Sequence, residues 1–121
     1  MSKQIPFYIF IILISFQAKA QTYWSKVSAG TEYSIALRSD GTLWSWGSNL
    51  NGELGSAGPL VFIPVQIGTD YDWADISCGA FHVLALKQDG TLWGWGSNQV
   101  GQVSVVQLQQ IFTPTQIGTI S

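Results

Sequence analysis

The sequence predicts an all-β protein, built as two four-stranded antiparallel blades of an incomplete β-propeller. Three observations carry this expectation. First, Ser39 to Asn49 reads Ser-Asp-Gly-Thr-Leu-Trp-Ser-Trp-Gly-Ser-Asn. It returns at an offset of 49 as Gln-Asp-Gly-Thr-Leu-Trp-Gly-Trp-Gly-Ser-Asn, Gln88 to Asn98, with nine of eleven positions identical. Chance does not produce such a match, so the chain is a repeat protein. Second, Asp40-Gly41 and Asp89-Gly90 each introduce a Thr-Leu-Trp-x-Trp run. Asp-Gly before an aromatic, β-branched run predicts a hairpin with a tight primed turn, because Gly supplies positive φ freely. Third, 13 glycines and 6 tryptophans accompany a composition that is 46% hydrophobic and 10% charged. That composition argues against disorder and suits an all-β chain with many turns.

In chain order, residues 1–20 read as a targeting segment. Lys3 supplies a positive start, Ile5 to Phe16 is a largely apolar run, and Ala18-Lys19-Ala20 has a small-x-small cleavage form. Cutting is expected between Ala20 and Gln21. The rival readings are a membrane anchor and a core strand; an anchor needs roughly 20 apolar residues, more than this run offers. The expectation is a secreted protein, extracellular or periplasmic, with no stable membrane insertion after cleavage. Loss of Lys3 and Lys19 leaves three basic against seven acidic residues, a formal charge of −4. Three scattered basic residues give no electrostatic footprint for nucleic acid or for an anionic membrane. Cys78 stands alone, so no internal disulfide is possible.

Repeat one is expected over 21–70 and repeat two over 71–121. Trp24-Ser25-Lys26-Val27-Ser28-Ala29-Gly30 and Trp73-Ala74-Asp75-Ile76-Ser77-Cys78-Gly79 each read as a short strand ended by a Gly turn. Tyr33 to Arg38 corresponds to His82 to Lys87. Ile35 and Leu37 share one face, as do Leu84 and Leu86, and the opposite faces are also uncharged, as in a sheet covered on both sides. After the hairpins, Trp44 and Trp46 share a face, as do Trp93 and Trp95, by the period of two. The small residue between them, Ser45 or Gly94, is expected to let a neighbouring sheet approach closely. Gly47 and Gly96 close these strands, and loops begin at Asn49 and Asn98. Beyond them the offset becomes 50, so that Phe62 to Thr69 matches Phe112 to Thr119. Pro64 and Pro114 open the last strand of each blade, where an edge tolerates Pro.

The doubled pattern Trp-x-x-Val/Ile-Ser-x-Gly-x-x-Tyr/His-x-x-Ala-Leu-x-x-Asp-Gly-Thr-Leu-Trp-x-Trp-Gly-x-Asn-x-x-Gly resembles the repeat of the regulator of chromosome condensation family. The likeness runs from Trp24 to Thr119 and is also similar to secreted bacterial propellers of like repeats. It implies a propeller, usually of seven blades, that serves as a protein-binding scaffold. It also implies guanine-nucleotide exchange on a nuclear GTPase, from which the export signal and the basic-poor surface point away. The chain departs from the family pattern in three places. It carries two repeats, Tyr33 replaces the usual His, and the usual Gly-Gln-Leu-Gly is Gly52-Glu53-Leu54-Gly55, then Gly101-Gln102-Val103-Ser104.

A blade cannot bury both faces alone, and repeat arrays need about three or more units. The expectation is therefore a piece of a longer propeller, or else a short chain that self-associates into a closed ring. Candidate chemistry is thin. His82 lacks an orienting partner and occupies the position of Tyr33, so it reads as structural. Cys78 fills the small-residue slot of Ala29 and reads as a buried hydrophobe. The Asp-Gly carboxylates are explained by their turns. No cofactor or metal is expected, and enzyme activity is not. The expected function is binding of an unidentified protein partner, through the divergent long loops with Leu60, Val61, Val105, Val106, Leu108 and Ile111. The alternative is a lectin-like propeller that stacks indoles on sugar rings. Against it, all six tryptophans fall at three equivalent repeat positions.

Overall fold

In the computed structural model, residues 21–104 and 108–118 are described. They form eight strands in two sheets. The first sheet holds β1 (Trp24–Ala29), β2 (Tyr33–Arg38), β3 (Leu43–Gly47) and β4 (Val61–Gln66). The second holds β5 (Trp73–Cys78), β6 (His82–Lys87), β7 (Leu92–Ser97) and β8 (Gln110–Gln116). Each sheet is an antiparallel meander with neighbours in chain order, the form of a propeller blade. Among the described residues no helix is long and apolar enough to cross a membrane.

The Asp-Gly hairpins form, but with a different turn. Arg38 N donates to Thr42 O at 2.9 Å and Gly41 N to Arg38 O at 2.9 Å, enclosing a three-residue loop. Gly41 and Gly90 have φ of 85° and 88°, and neither Asp has positive φ. This is an ordinary turn followed by one left-handed glycine, not the two-residue primed turn that the sequence predicts. The reason lies in the next residue. Asp40 Oδ1 accepts from Thr42 N at 3.2 Å and Thr42 Oγ1 at 2.6 Å, and Thr42 Oγ1 in turn accepts from Trp44 Nε1 at 2.9 Å. Asp89, Thr91 and Trp93 repeat the relay. Asp-Gly-Thr-Leu-Trp is thus one hydrogen-bonded unit, and the Thr bonds hold both carboxyls below their ordinary pKa.

The core lies between the sheets. Tyr33, Ile35, Leu37 and Leu43 of the first blade meet Trp73, Ile76, Val83, Ala85 and Trp95 of the second in one buried cluster. Leu54, Ile67, Val103 and Ile111 complete it from loops and outer segments. The small residue inside Trp-x-Trp serves a purpose other than the expected one. Ser45 Oγ donates to Leu54 O at 2.8 Å, and a Cβ on Gly94 would lie 2.9 Å from Ile117 Cδ1 and 3.0 Å from Val103 Cγ1. The space is filled by the blade's own loop, not by a neighbouring sheet. Gly47 and Gly96 pass so close to the preceding strand that a Cβ would come within 2.5 Å of Glu32 O and 2.6 Å of Phe81 O. Only glycine fits there.

Each blade presents one face to the other and one away from it. The outward face of the second blade carries Leu84, Leu86 and Leu92 with Asp75 and Ser77, around a shallow cavity of about 150 Å³. The outward face of the first carries Trp44 and Trp46, with Trp24 and Val27 exposed beside them.

Candidate partner-binding surface

Loops held on a rigid frame are where propellers meet partners, and here the frame is built by asparagine. Asn49 Nδ2 donates to Ser56 O and Gly58 O, both at 2.8 Å, while its Oδ1 accepts from Leu54 N at 3.0 Å. Asn98 repeats this with Leu108 O at 3.0 Å and Val103 N at 3.0 Å. Two residues that the sequence reading left without a role complete the loop. Glu53 is buried and its carboxylate accepts from Asn51 N at 2.7 Å; Gln102 Oε1 accepts from Val100 N at 3.1 Å in the equivalent place. Their equivalence at offset 49 was the signal, since a polar acceptor is kept there in both repeats. The backbone oxygen of Glu53 accepts from Trp95 Nε1 at 2.9 Å, which ties the first loop to the second blade.

This frame borders a groove of about 420 Å³ on the first blade, lined by Glu32, Ser48, Leu50, Pro59, Leu60, Val61 and Phe62 among others. Leu60 and Leu108 are exposed and Val61 is half-buried. Ile111 is different: it is only 6% exposed and packs in the core cluster. Ile111 therefore offers no partner surface, because it lies in β8 under the first blade's loop. Val105 and Val106 lie outside the described residues, as do Ala20 and the rest of the expected signal segment; Gln21 is exposed. β4 supplies what sequence reasoning missed: Phe62, Ile63 and Val65 are all exposed. The run Val-Phe-Ile-Pro-Val has no polar alternation, and that was the available signal for an uncovered edge.

Between the blades, Tyr33 Oη lies 2.7 Å from Gly79 O and 2.6 Å from His82 O. Burial, with Cys78 beside it, pushes the Tyr33 hydroxyl far above its ordinary pKa. Its ring lies over Gly30, where a Cβ would come within 2.1 Å; the His82 ring lies over Gly79 in the same way, at 2.3 Å. Cys78 Sγ faces Ser28 O at 3.5 Å, and burial pushes its thiol above the ordinary value, away from a reactive thiolate. The indoles are engaged with each other. Trp24 and Trp44 make an edge contact at 6.0 Å, Trp73 and Trp93 one at 5.9 Å. Arg38 lies 5.2 Å from the Trp44 ring and Lys87 4.5 Å from the Trp93 ring. Among the described residues no group of three or more His, Cys, Asp or Glu side chains could hold a metal ion.

Comparison with known proteins agrees with the geometry. Residues 24–53 and 73–102 match the regulator of chromosome condensation (RCC1) repeat, and residues 40–86 match it in a second frame. No curated protein sequence gives a significant match. Among solved structures, yeast RCC1 (Prp20) with Kap60 bound superposes with a TM-score of 0.75 at 20% identity, covering 84% of this chain and 26% of that one. Prp20p from Saccharomyces cerevisiae, described with its binding properties to Gsp1p and histones, gives 0.75 at 20% identity over 84% and 27%. Human WBSCR16 gives 0.70 at 25% identity over 84% and 26%. The chain thus spans about a quarter of the length of these structures.

Proposed function

From the premise that this chain belongs to the regulator of chromosome condensation (RCC1) repeat family, we propose that it is a secreted propeller-repeat scaffold. It binds another protein and catalyses nothing itself. The observation that carries the reading is the groove of about 420 Å³ on the first blade, continuous with the exposed Leu60, Phe62 and Ile63. An apolar surface of this kind, set on hydrogen-bonded loops, has the character of a protein interface. Kap60, Gsp1p and histones appear with the yeast neighbours, which supports a protein partner as a class. The apolar run and the Ala18-Lys19-Ala20 site support the export part of this reading.

The test is capture on the immobilised exported protein, with Phe62→Ser as control. A specific protein retained by the native chain, and at least tenfold less by the variant, supports the reading. Retention of nothing, or elution by free sugars, overturns it. N-terminal sequencing of the exported protein should begin at Gln21; recovery with Met1 intact would overturn the export reading.

A further inference from the structure

The two outward faces are the two halves of one interface that the chain already makes. Resting on the protein-binding reading above, we propose that the partner for these faces is a second copy of this chain, docked head to tail. The outward face of blade two then receives blade one of the next copy.

The argument is the repeat itself. The inward face of blade one, with Ile35, Leu37 and Leu43, corresponds to the outward face of blade two, with Leu84, Leu86 and Leu92. The inward face of blade two, with Trp93 and Trp95, corresponds to the outward face of blade one, with Trp44 and Trp46. Most contacts across the existing seam can be rewritten with their counterparts. Lys26 Nζ pairs with Asp75; the counterpart is Asp75 against Lys26 of a second copy, again of opposite sign. Ser28 Oγ accepts from Cys78 N at 3.1 Å; Ser77 is the same residue, available to Ala29 N of a second copy. The Tyr33 hydroxyl lies within hydrogen-bond reach of two carbonyls of blade two. The His82 imidazole, seated over Gly79 as Tyr33 is over Gly30, has an N–H for the same carbonyls of the next blade. Trp95 Nε1 donates to Glu53 O, and Trp46 of a second copy has Gln102 O as its counterpart. The backbone bonds Thr31 N to Ala80 O at 3.0 Å and Trp73 N to Gly41 O at 3.1 Å carry over whatever the sequence.

The groove has the same explanation. On blade two, the equivalent residues Ile111 and Phe112 are covered by Gly52, whose Cβ would lie 2.9 Å from Ile111 O and 3.0 Å from Phe112 Cδ1. On blade one, Val61 and Phe62 have no such cover, and Phe62 is 88% exposed against 38% for Phe112. The matching cover is the Gly101 loop of a second copy. Gly101 has φ of 76° against 82° for Gly52, and a Cβ on it would meet only Ser104 O, at 4.0 Å. Two contacts do not carry over: Cys78 Sγ faces Ser28 O at 3.5 Å and its counterpart, Ala29, has no thiol; Gln110 Nε2 bonds Leu50 O at 3.1 Å, and its counterpart is the apolar Leu60. Such an interface is heterologous. It closes into a ring when the rotation permits.

The experiment is light scattering on the exported protein together with two single-face variants, Phe62→Asp on blade one and Leu86→Lys on blade two. The native protein should assemble with concentration, into a ring or an open chain of copies. Each variant alone should weaken assembly at least tenfold. Mixed in equal amounts, they should form a heterodimer through the one intact pair of faces. A native protein that stays monomeric at every soluble concentration overturns the inference; if it still captures another protein, the protein-binding reading stands without it. Two variants that remain monomeric when mixed overturn the head-to-tail arrangement. Should either variant misfold by tryptophan fluorescence, zero-length cross-linking of mixed heavy- and light-isotope native protein decides. Lys26–Asp75 peptides of mixed isotope support the interface, and their absence from an assembled sample overturns it.

Discussion

Tyr33→Phe removes one oxygen from the seam between the blades and leaves the ring over Gly30. The Tyr33 hydroxyl sits 2.7 Å from Gly79 O and 2.6 Å from His82 O. His82 O keeps a second donor, Gly79 N at 2.8 Å, so the loss falls mainly on Gly79 O. No cavity larger than a hydroxyl opens, which excludes the transfer and cavity costs of a larger truncation. A buried hydrogen bond lost with its acceptor left unpaired costs about 1–3 kcal/mol. With a urea slope of about 1–3 kcal/mol/M, the midpoint should fall by roughly 1 M at unchanged slope. Tyr33→His, which installs the residue that blade two uses, should recover part of the loss, because imidazole retains an N–H donor. The assay is urea unfolding followed by tryptophan fluorescence. The hydroxyl also sets a pH dependence. Its folded pKa lies above the ordinary 10.0, so its contribution is complete below pH 10. It is lost as the pH rises further and the unfolded chain ionises first. Tyr33→Phe should lack that alkaline component. A midpoint within 0.2 M of the native protein, set as roughly the resolution of the assay, would refute the picture of a dry, hydrogen-bonded seam.

Three further outcomes follow from the same geometry. Thr91→Val removes the side-chain donor to Asp89, leaving only the backbone N–H of residue 91, and removes the acceptor for Trp93 Nε1. The Asp89 carboxyl should then titrate nearer its ordinary value by NMR, so that the acid limb, lost in the native protein as pH falls through the depressed pKa, moves to higher pH. Gly96→Ala should destabilise by about 2 kcal/mol or more, since φ of 101° and a Cβ 2.6 Å from Phe81 O leave no relaxed position. Gly68→Ala, with φ of 63° and open space around it, should cost about 1 kcal/mol, and equal losses in thermal melts would contradict this. Lys26→Glu breaks a half-exposed ion pair with Asp75 and should change chemical stability by no more than about 1 kcal/mol. It should nevertheless weaken self-assembly measured by light scattering, which separates the folding role of the pair from its docking role.

Much of the architecture was legible in the chain. The offset of 49, the Asp-Gly turns and the Trp-x-Trp spacing are local patterns, and local patterns fix strands, hairpins and the alternation of faces. The turn class was not legible, because it depended on Thr42 and Thr91 closing back on Asp40 and Asp89. Nor was the destination of Ser45 and Gly94, whose space is taken by loop residues nine positions further on, Leu54 and Val103. The candidate loop residues divided for the same reason. Val61 on β4 and Ile111 on β8 are equivalent positions, yet one is half-buried and the other 6% exposed, because only the second has a neighbouring loop above it.

The sequence by itself determined two copies of one blade, down to which residues share a face. The tertiary structure alone decided which of those faces is covered. Leu37 and Leu86 are equivalent in sequence and conformation, yet they are 6% and 40% exposed. Periodicity places a side chain on one side of a sheet, but burial requires another sheet to lie there, and that is a property of the neighbour.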